Sequence, residues 1–165
     1  MCLFIGGVRQ RIVALAVTLG LLLSLSSCSE KASPSELLSR FCEEYGIRAD
    51  ILSPSYREGE VGHVDESFFE SVFFESSDSV SDYAIAFLSS LDRISECSVF
   101  LCYSEYDAIL VAEMLWRRVD FLRSCAIGMD ASYLSDTVVF KSGKYAVMCA
   151  LSDNSAAERI WRRLL

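Results

Sequence analysis

The sequence predicts an α+β domain behind a separate N-terminal address. Three observations carry that expectation. Apolar residues recur at helical spacing in two stretches near residues 36–45 and 105–124. Two pairs of short β-branched and aromatic runs lie beyond residue 80, each pair joined by a turn. The first 27 residues contain no acid and have a composition unlike the rest. The expected order of elements is α-α-β-β-α-β-β-α, a four-stranded, mostly antiparallel sheet with the two later helices packed on one face.

The chain opens with Arg9 and Arg11, followed by the uncharged run Ile12–Leu25 and then Ser26, Ser27 and Cys28. A basic stretch, an apolar stretch and small residues describe a secretory signal. An uncleaved spanning helix competes with that reading. It wants about 20 predominantly apolar residues, and the uncharged run ends in serines. Leu25-Ser26-Ser27-Cys28 looks like a lipobox, with Leu at −3, small residues at −2 and −1 and Cys at +1. Cys28 would then carry a diacylglycerol thioether and become the first residue of the mature chain. A core role for Cys28 fits poorly, because Ser29-Glu30-Lys31 turns polar at once. The expected organisation is a cleaved signal at 1–27, the lipidated cysteine and tether at 28–33, and one domain at 34–165. Two or more acyl chains hold a protein stably at a bilayer, and five tether residues reach at most about 18 Å.

Ser33-Pro34-Ser35-Glu36 is a helix start: a Ser cap, Pro at the first helical position and Glu three residues after the cap. Leu37, Leu38, Phe41, Cys42 and Tyr45 follow at helical spacing, and Gly46 ends the helix. Residues 49–63, with Pro54, Gly59 and Gly62, read as an extended connection. Asp65 caps a short helix from Glu66 to Phe74. Its run FFESVFF puts Phe68, Phe69, Val72 and Phe73 on one face, which suits a core better than a membrane or partner surface. Phe74 falls beside that face and is the member expected to be exposed.

Strands are expected at 82–89 and 94–103. A long helix from Glu105 to about Ser124 keeps the stripe Ala108, Val111, Ala112, Leu115, Val119 and Leu122. Ile109, Leu110, Trp116 and Phe121 widen it, so burial over more than half of the circumference is expected. After a break around Gly128, a hairpin about Ser142-Gly143 joins 137–141 to 144–151, and Asp153 caps a last helix at 155–165. The two later helices share wording, AEMLWRRV against AERIWRRL. Duplication is one explanation. Glu113–Arg117 and Glu158–Arg162, as favourable i,i+4 pairs, are a simpler one. Arg117, Arg118, Arg162 and Arg163 would grip a carboxylate or phosphate only if both helices turned them into one cleft.

Lys and Arg number 15 against 23 Asp and Glu. Removal of the signal takes two arginines, leaving 13 against 23 and a formal charge of −10 on the 138 mature residues. That balance opposes nucleic acid, whose binding is dominated by phosphate neutralisation, and opposes adhesion to anionic lipid. Acidity of this kind keeps a tethered domain soluble. Cys42, Cys97, Cys102, Cys125 and Cys149 form no CxxC or zinc-type pair. Core thiols suit Cys42, Cys102 and Cys149; one disulfide or a catalytic thiol are the other readings. The lone His63 sits in a Gly-flanked polar segment. No metal, cofactor or catalytic constellation is indicated.

The acidic DESFFE segment, the two strands, the helix with Trp116-Arg117-Arg118, the Gly143-Lys144-Tyr145 hairpin and the Ala-rich final helix together resemble an uncharacterised family of small lipoproteins. That family occurs mainly in clostridia and related Gram-positive bacteria. The resemblance runs from about Ser35 to the end, most clearly from Val80. It implies a lipid-anchored protein on the extracytoplasmic face of the cell membrane and assigns no catalytic residue; the domain cysteines are outside its pattern. Partners beyond the membrane itself would be an envelope protein, a peptide or a small ligand, bound on an open sheet face or in the groove beside the two N-terminal helices. An enzyme, such as a cell-envelope hydrolase, would need converging acids, with Asp65, Glu66, Glu70 and Glu75 as candidates. A structural or accessory role is the third class.

Overall fold

A computed structural model describes residues 32–90, 93–126 and 132–165. The lipobox with Cys28, the signal and the break at Gly128 lie outside the described residues. The first helix, α1 (Pro34–Tyr45), begins with the expected box. Glu36 N donates to Ser33 Oγ at 3.3 Å, and Ser33 N donates to Glu36 Oε2 at 2.9 Å. It ends on Gly46 at φ +80, a conformation that glycine adopts without steric cost. Then come β1 (Ile51–Leu52), α2 (Glu66–Phe73), β2 (Val80–Ser90), β3 (Arg93–Cys102) and α3 (Glu105–Cys125). A 3-10 turn at Ser132–Asp136 precedes β4 (Val138–Ser142), β5 (Tyr145–Ala150) and α4 (Asn154–Leu164).

The α+β class stands, with one more strand than expected. The sheet has five strands in the order β1-β2-β3-β5-β4, antiparallel throughout. The extra strand is β1, two residues long, pairing Ile51 with Ala86 and Leu52 with Ile85 at the edge of β2. Asp50 before it and Ser53-Pro54 after it leave too short a run to register as a strand.

The expected open sheet face is a second correction. Helices cover both faces. On one side α2 and α3 pack Phe69, Phe73, Val111, Leu115 and Val119 against Tyr83, Ile85, Phe100 and Met148. On the other, α1 and α4 pack Leu38, Phe41, Ala157 and Trp161 against Ala84, Ala86, Cys97, Val99, Val147 and Cys149. The physical reason lies in the central strands. Successive side chains of a strand point to opposite faces, and every residue of β5 is buried. In β3, Cys97 and Val99 on one side and Phe100 and Cys102 on the other are equally buried. A strand apolar at both parities needs cover on both faces.

The long helix α3 departs from expectation too. Its buried stripe is Ala108, Val111, Met114, Leu115, Val119 and Leu122. Ile109, Leu110, Trp116 (44% exposed) and Phe121 face solvent rather than widening it. One sheet face occupies only one side of a helix, so apolar residues turned away from it stay wet. In α2 the expectation holds: Phe69 and Phe73 are buried, Phe68 and Val72 pack beside them, and Phe74 is 68% exposed. Phe74 caps α2 at φ +57, donating its N–H to Glu70 O at 2.8 Å.

Candidate functional site

At the β1 edge of the sheet, the irregular segment after β1, the start of α2 and the start of β2 enclose a groove of about 170 Å³. Its lining includes Pro54, Glu66, Phe69, Val80, Asp82 and Tyr83. Backbone geometry holds the loop. Gly62 sits at φ +91, where a Cβ would meet Ile51 O at 2.2 Å. Ser53 N donates to Gly62 O at 2.9 Å, and His63 Nδ1 lies 2.8 Å from Tyr56 O. His63 thereby closes the loop on itself.

Hydroxyls tie this loop to the strand. Ser53, fully buried, donates through Oγ to Tyr83 O at 2.8 Å. Ser55 Oγ donates to the Asp82 carboxylate, lying 2.6 Å from each oxygen. Asp82 Oδ1 also accepts from Tyr83 N at 2.8 Å. Across the groove, Ser77 Oγ donates to Glu66 Oε1 at 3.1 Å. Asp65 caps α2, accepting from Phe68 N at 3.2 Å and Ser67 Oγ at 2.6 Å. The Ser67 hydroxyl, followed by the Phe68 amide, holds that carboxyl below its usual range.

Tyr83 is the group whose chemistry is left open. It is buried among Phe69 and Phe100, with centroids at 5.3 and 5.9 Å. Its hydroxyl has no hydrogen-bond partner among the described residues. Burial, then the charges of Asp65 and Asp82, push its pKa up to about 12. A buried hydroxyl without a partner costs about 1–3 kcal/mol. The groove thus presents two carboxylates beside an apolar wall with a phenol among the lining residues. Such a surface accepts a cationic or amino group next to an apolar one and repels anions.

The four arginines do not share a cleft, because α3 and α4 lie on opposite faces of the sheet. Each has a carboxylate nearer home. Arg117 pairs with Glu75 at 2.6 Å, rather than with Glu113 as its spacing suggested. Arg162 Nε does reach Glu158 at 2.8 Å, one turn back, and Arg163 pairs with Glu44. Arg118 is the least exposed of the four. Its Nε and Nη2 donate to Glu96 Oε2 at 3.1 and 2.8 Å, and its Nη1 donates to Val72 O at 3.1 Å. The guanidinium also lies over the rings of Phe73 and Phe121, at 5.9 and 5.3 Å.

Glu96 is fully buried in β3, and its Oε1 has no partner among the described residues. Burial raises its pKa, while the Arg118 charge and hydrogen bonds oppose the rise. This pair bolts α3 and the end of α2 to the sheet.

Of the four candidate acids, only Glu66 lines the groove, while Glu75 is spent on Arg117. Asp82, Tyr83, Ser53, Ser55 and Ser77 were missed as site residues. Their signal was faint: a polar Ser81-Asp82 opening a strand, and serines in a Pro/Gly-rich loop. Among the described residues no group of three or more His, Cys, Asp or Glu could hold a metal ion, and no helix is long and apolar enough to cross a membrane. Comparison with protein-family models, with curated proteins and with solved structures finds no match.

Proposed function

We propose that this chain is a bacterial lipoprotein, acylated on Cys28 and held at the extracytoplasmic face of the cell membrane, whose domain is a non-enzymatic binding module. The LSSC junction after the basic and apolar stretches supports the anchor, as does the resemblance to small Gram-positive lipoproteins. Ala32 already belongs to the domain, since its carbonyl accepts from Tyr145 OH at 3.1 Å.

The ligand is an amine or basic peptide side chain carried beside an apolar group, such as an envelope peptide presents. One observation carries this reading: Glu66 and Asp82 border Phe69, Val80 and Tyr83 in one groove. Drug-sized ligands occupy roughly 300–1,000 Å³. A groove of about 170 Å³ suits a single side chain. The acidic balance of the domain adds long-range attraction for a cation and disfavours nucleic acid.

Titration of the labelled domain with a Lys-Phe dipeptide amide, followed by amide NMR, tests the ligand class. Shifts should concentrate at residues 66–69 and 77–83, and a Glu-Phe dipeptide should produce none. Equal responses to both peptides, or shifts confined to another surface, would refute it. The anchor has its own test. Cys28→Ser should abolish acyl labelling and leave the signal uncleaved; normal cleavage with label retained would refute lipidation.

A further inference from the structure

The face of the sheet remote from the Glu96–Arg118 pair carries sulfur for which ligand binding has no use. Cys97 in β3 and Cys149 in β5 are register partners on neighbouring antiparallel strands. Both are fully buried, and their Sγ atoms lie 3.3 Å apart. Residues directly opposed in such a ladder have Cα atoms about 4.5–5.5 Å apart, inside the range of about 4.4–6.8 Å that a disulfide spans. The backbone is therefore already in place, and side-chain rotation suffices to bring the sulfurs to bonding distance, about 2.05 Å. Trp161 roofs the pair. It is fully buried, stacks on Phe41 at 4.8 Å, and donates from Nε1 to Cys149 Sγ at 3.1 Å. Cys42 shares the same apolar cluster, while Cys102 lies on the other side of the sheet and Cys125 is exposed.

We propose that Cys97 and Cys149 form a disulfide site, closed by exchange with a low-molecular-weight or protein disulfide before α4 seals over it. One cysteine thiolate attacks the external disulfide, forming a mixed disulfide and releasing one thiolate. The second cysteine thiolate then attacks the cysteine sulfur of that mixed disulfide and expels the other. The two cysteines lose two protons and two electrons, and the oxidant leaves as two thiols. Burial governs the timing. With neither sulfur exposed, and burial holding the Cys97 thiol in its protonated form, a folded reduced chain exchanges only when α4 opens. The same roof shields the closed bond from reductants. The pairing rests on strand register and not on the groove; export from the cytoplasm matters only as the source of oxidant.

Refolding of the reduced, denatured full chain with glutathione disulfide present, followed by alkylation and non-reducing peptide mapping, tests this directly. The Cys97–Cys149 cross-linked peptide, lighter by two hydrogens, should predominate and should persist in Cys42→Ser. Added instead to the already folded reduced chain, the same oxidant should form the bond at least tenfold more slowly, and sub-denaturing urea should shorten the lag. A predominant cross-link through Cys42, or full alkylation of Cys97 and Cys149 after oxidative refolding, would overturn the site. Equal rates before and after folding would overturn the sealing by α4. None of these readouts depends on ligand, so they stand apart from the test of the groove.

Discussion

The two faces of the sheet are built from different chemistry. Under α1 and α4 the strands present Ala84, Ala86, Val99, Val147 and two thiols, closed by the stacked rings of Phe41 and Trp161. Under α2 and α3 lie a buried carboxylate and its arginine, a phenol without a partner and the T-shaped rings of Phe69, Phe73 and Phe100. The first face is a plain core, where burial of apolar surface stabilises at about 25 cal/mol per Å². The second keeps polar groups that cost stability, and the groove opens at its edge. Polar groups retained at such a cost belong where a ligand is met or where one arrangement of helices must be specified. Glu96–Arg118 fits the latter, and Tyr83 borders the groove proposed for the former.

The largest expected effect breaks the second face. Arg118→Met leaves Glu96 buried without its counter-charge and should cost about 3–5 kcal/mol at neutral pH. The sign of its pH dependence follows from burial, which raises the Glu96 pKa from an ordinary 4.5. As pH rises, the unfolded carboxyl gives up its proton first, so the folded state loses stability between 4.5 and the raised value. Removing Arg118 raises that value further. The variant should therefore recover much of its stability on acidification, read by urea denaturation from pH 4 to 8. Trp161→Ala on the other face should cost a similar 3–5 kcal/mol, with no such recovery in acid. Matching pH profiles for the two variants would erase the distinction between the faces.

A smaller change sharpens the comparison at the groove. Gly62→Ala forces a Cβ against Ile51 O at a position of positive φ and should cost about 1–3 kcal/mol. Its NMR shifts should centre on residues 51–65 and leave α1 and α4 unmoved. Smallest is Tyr83→Phe. Because the hydroxyl has no partner among the described residues, its removal should leave the free energy of unfolding unchanged or raise it by up to about 1 kcal/mol, the low end of what such a hydroxyl costs. A clear loss of stability would mean that the phenol holds the core rather than serving the groove.

The sequence carried local structure more fully than tertiary placement. Ser33, Pro34, Glu36 and Gly46 mark both ends of α1, and Asp65 and Asp153 mark the starts of α2 and α4, because a cap is written within four residues of chain. The faces taken by the helices were misread: the two later helices, expected on one face, lie on opposite ones, although the clue was present in strands apolar at both parities. Glu96 was visible as a break in alternation, a carboxylate in step with Phe100 and Cys102. Its partner Arg118, across the domain, was not. Likewise Arg117 found Glu75 rather than its own helix neighbour, since an ion pair between elements exists only once the fold has placed them. Most of the groove was hidden for the same reason: Pro54, Glu66 and Asp82 come from three segments that converge only when β1 closes on β2.

The division between a structural face and a binding edge is tested most directly by calorimetric titration of Lys-Phe dipeptide amide into two variants, Asp82→Asn and Trp161→Phe. Affinity should fall at least tenfold in Asp82→Asn and stay within twofold of the native chain in Trp161→Phe. Undiminished affinity in Asp82→Asn, or an equal fall in both, would contradict the account.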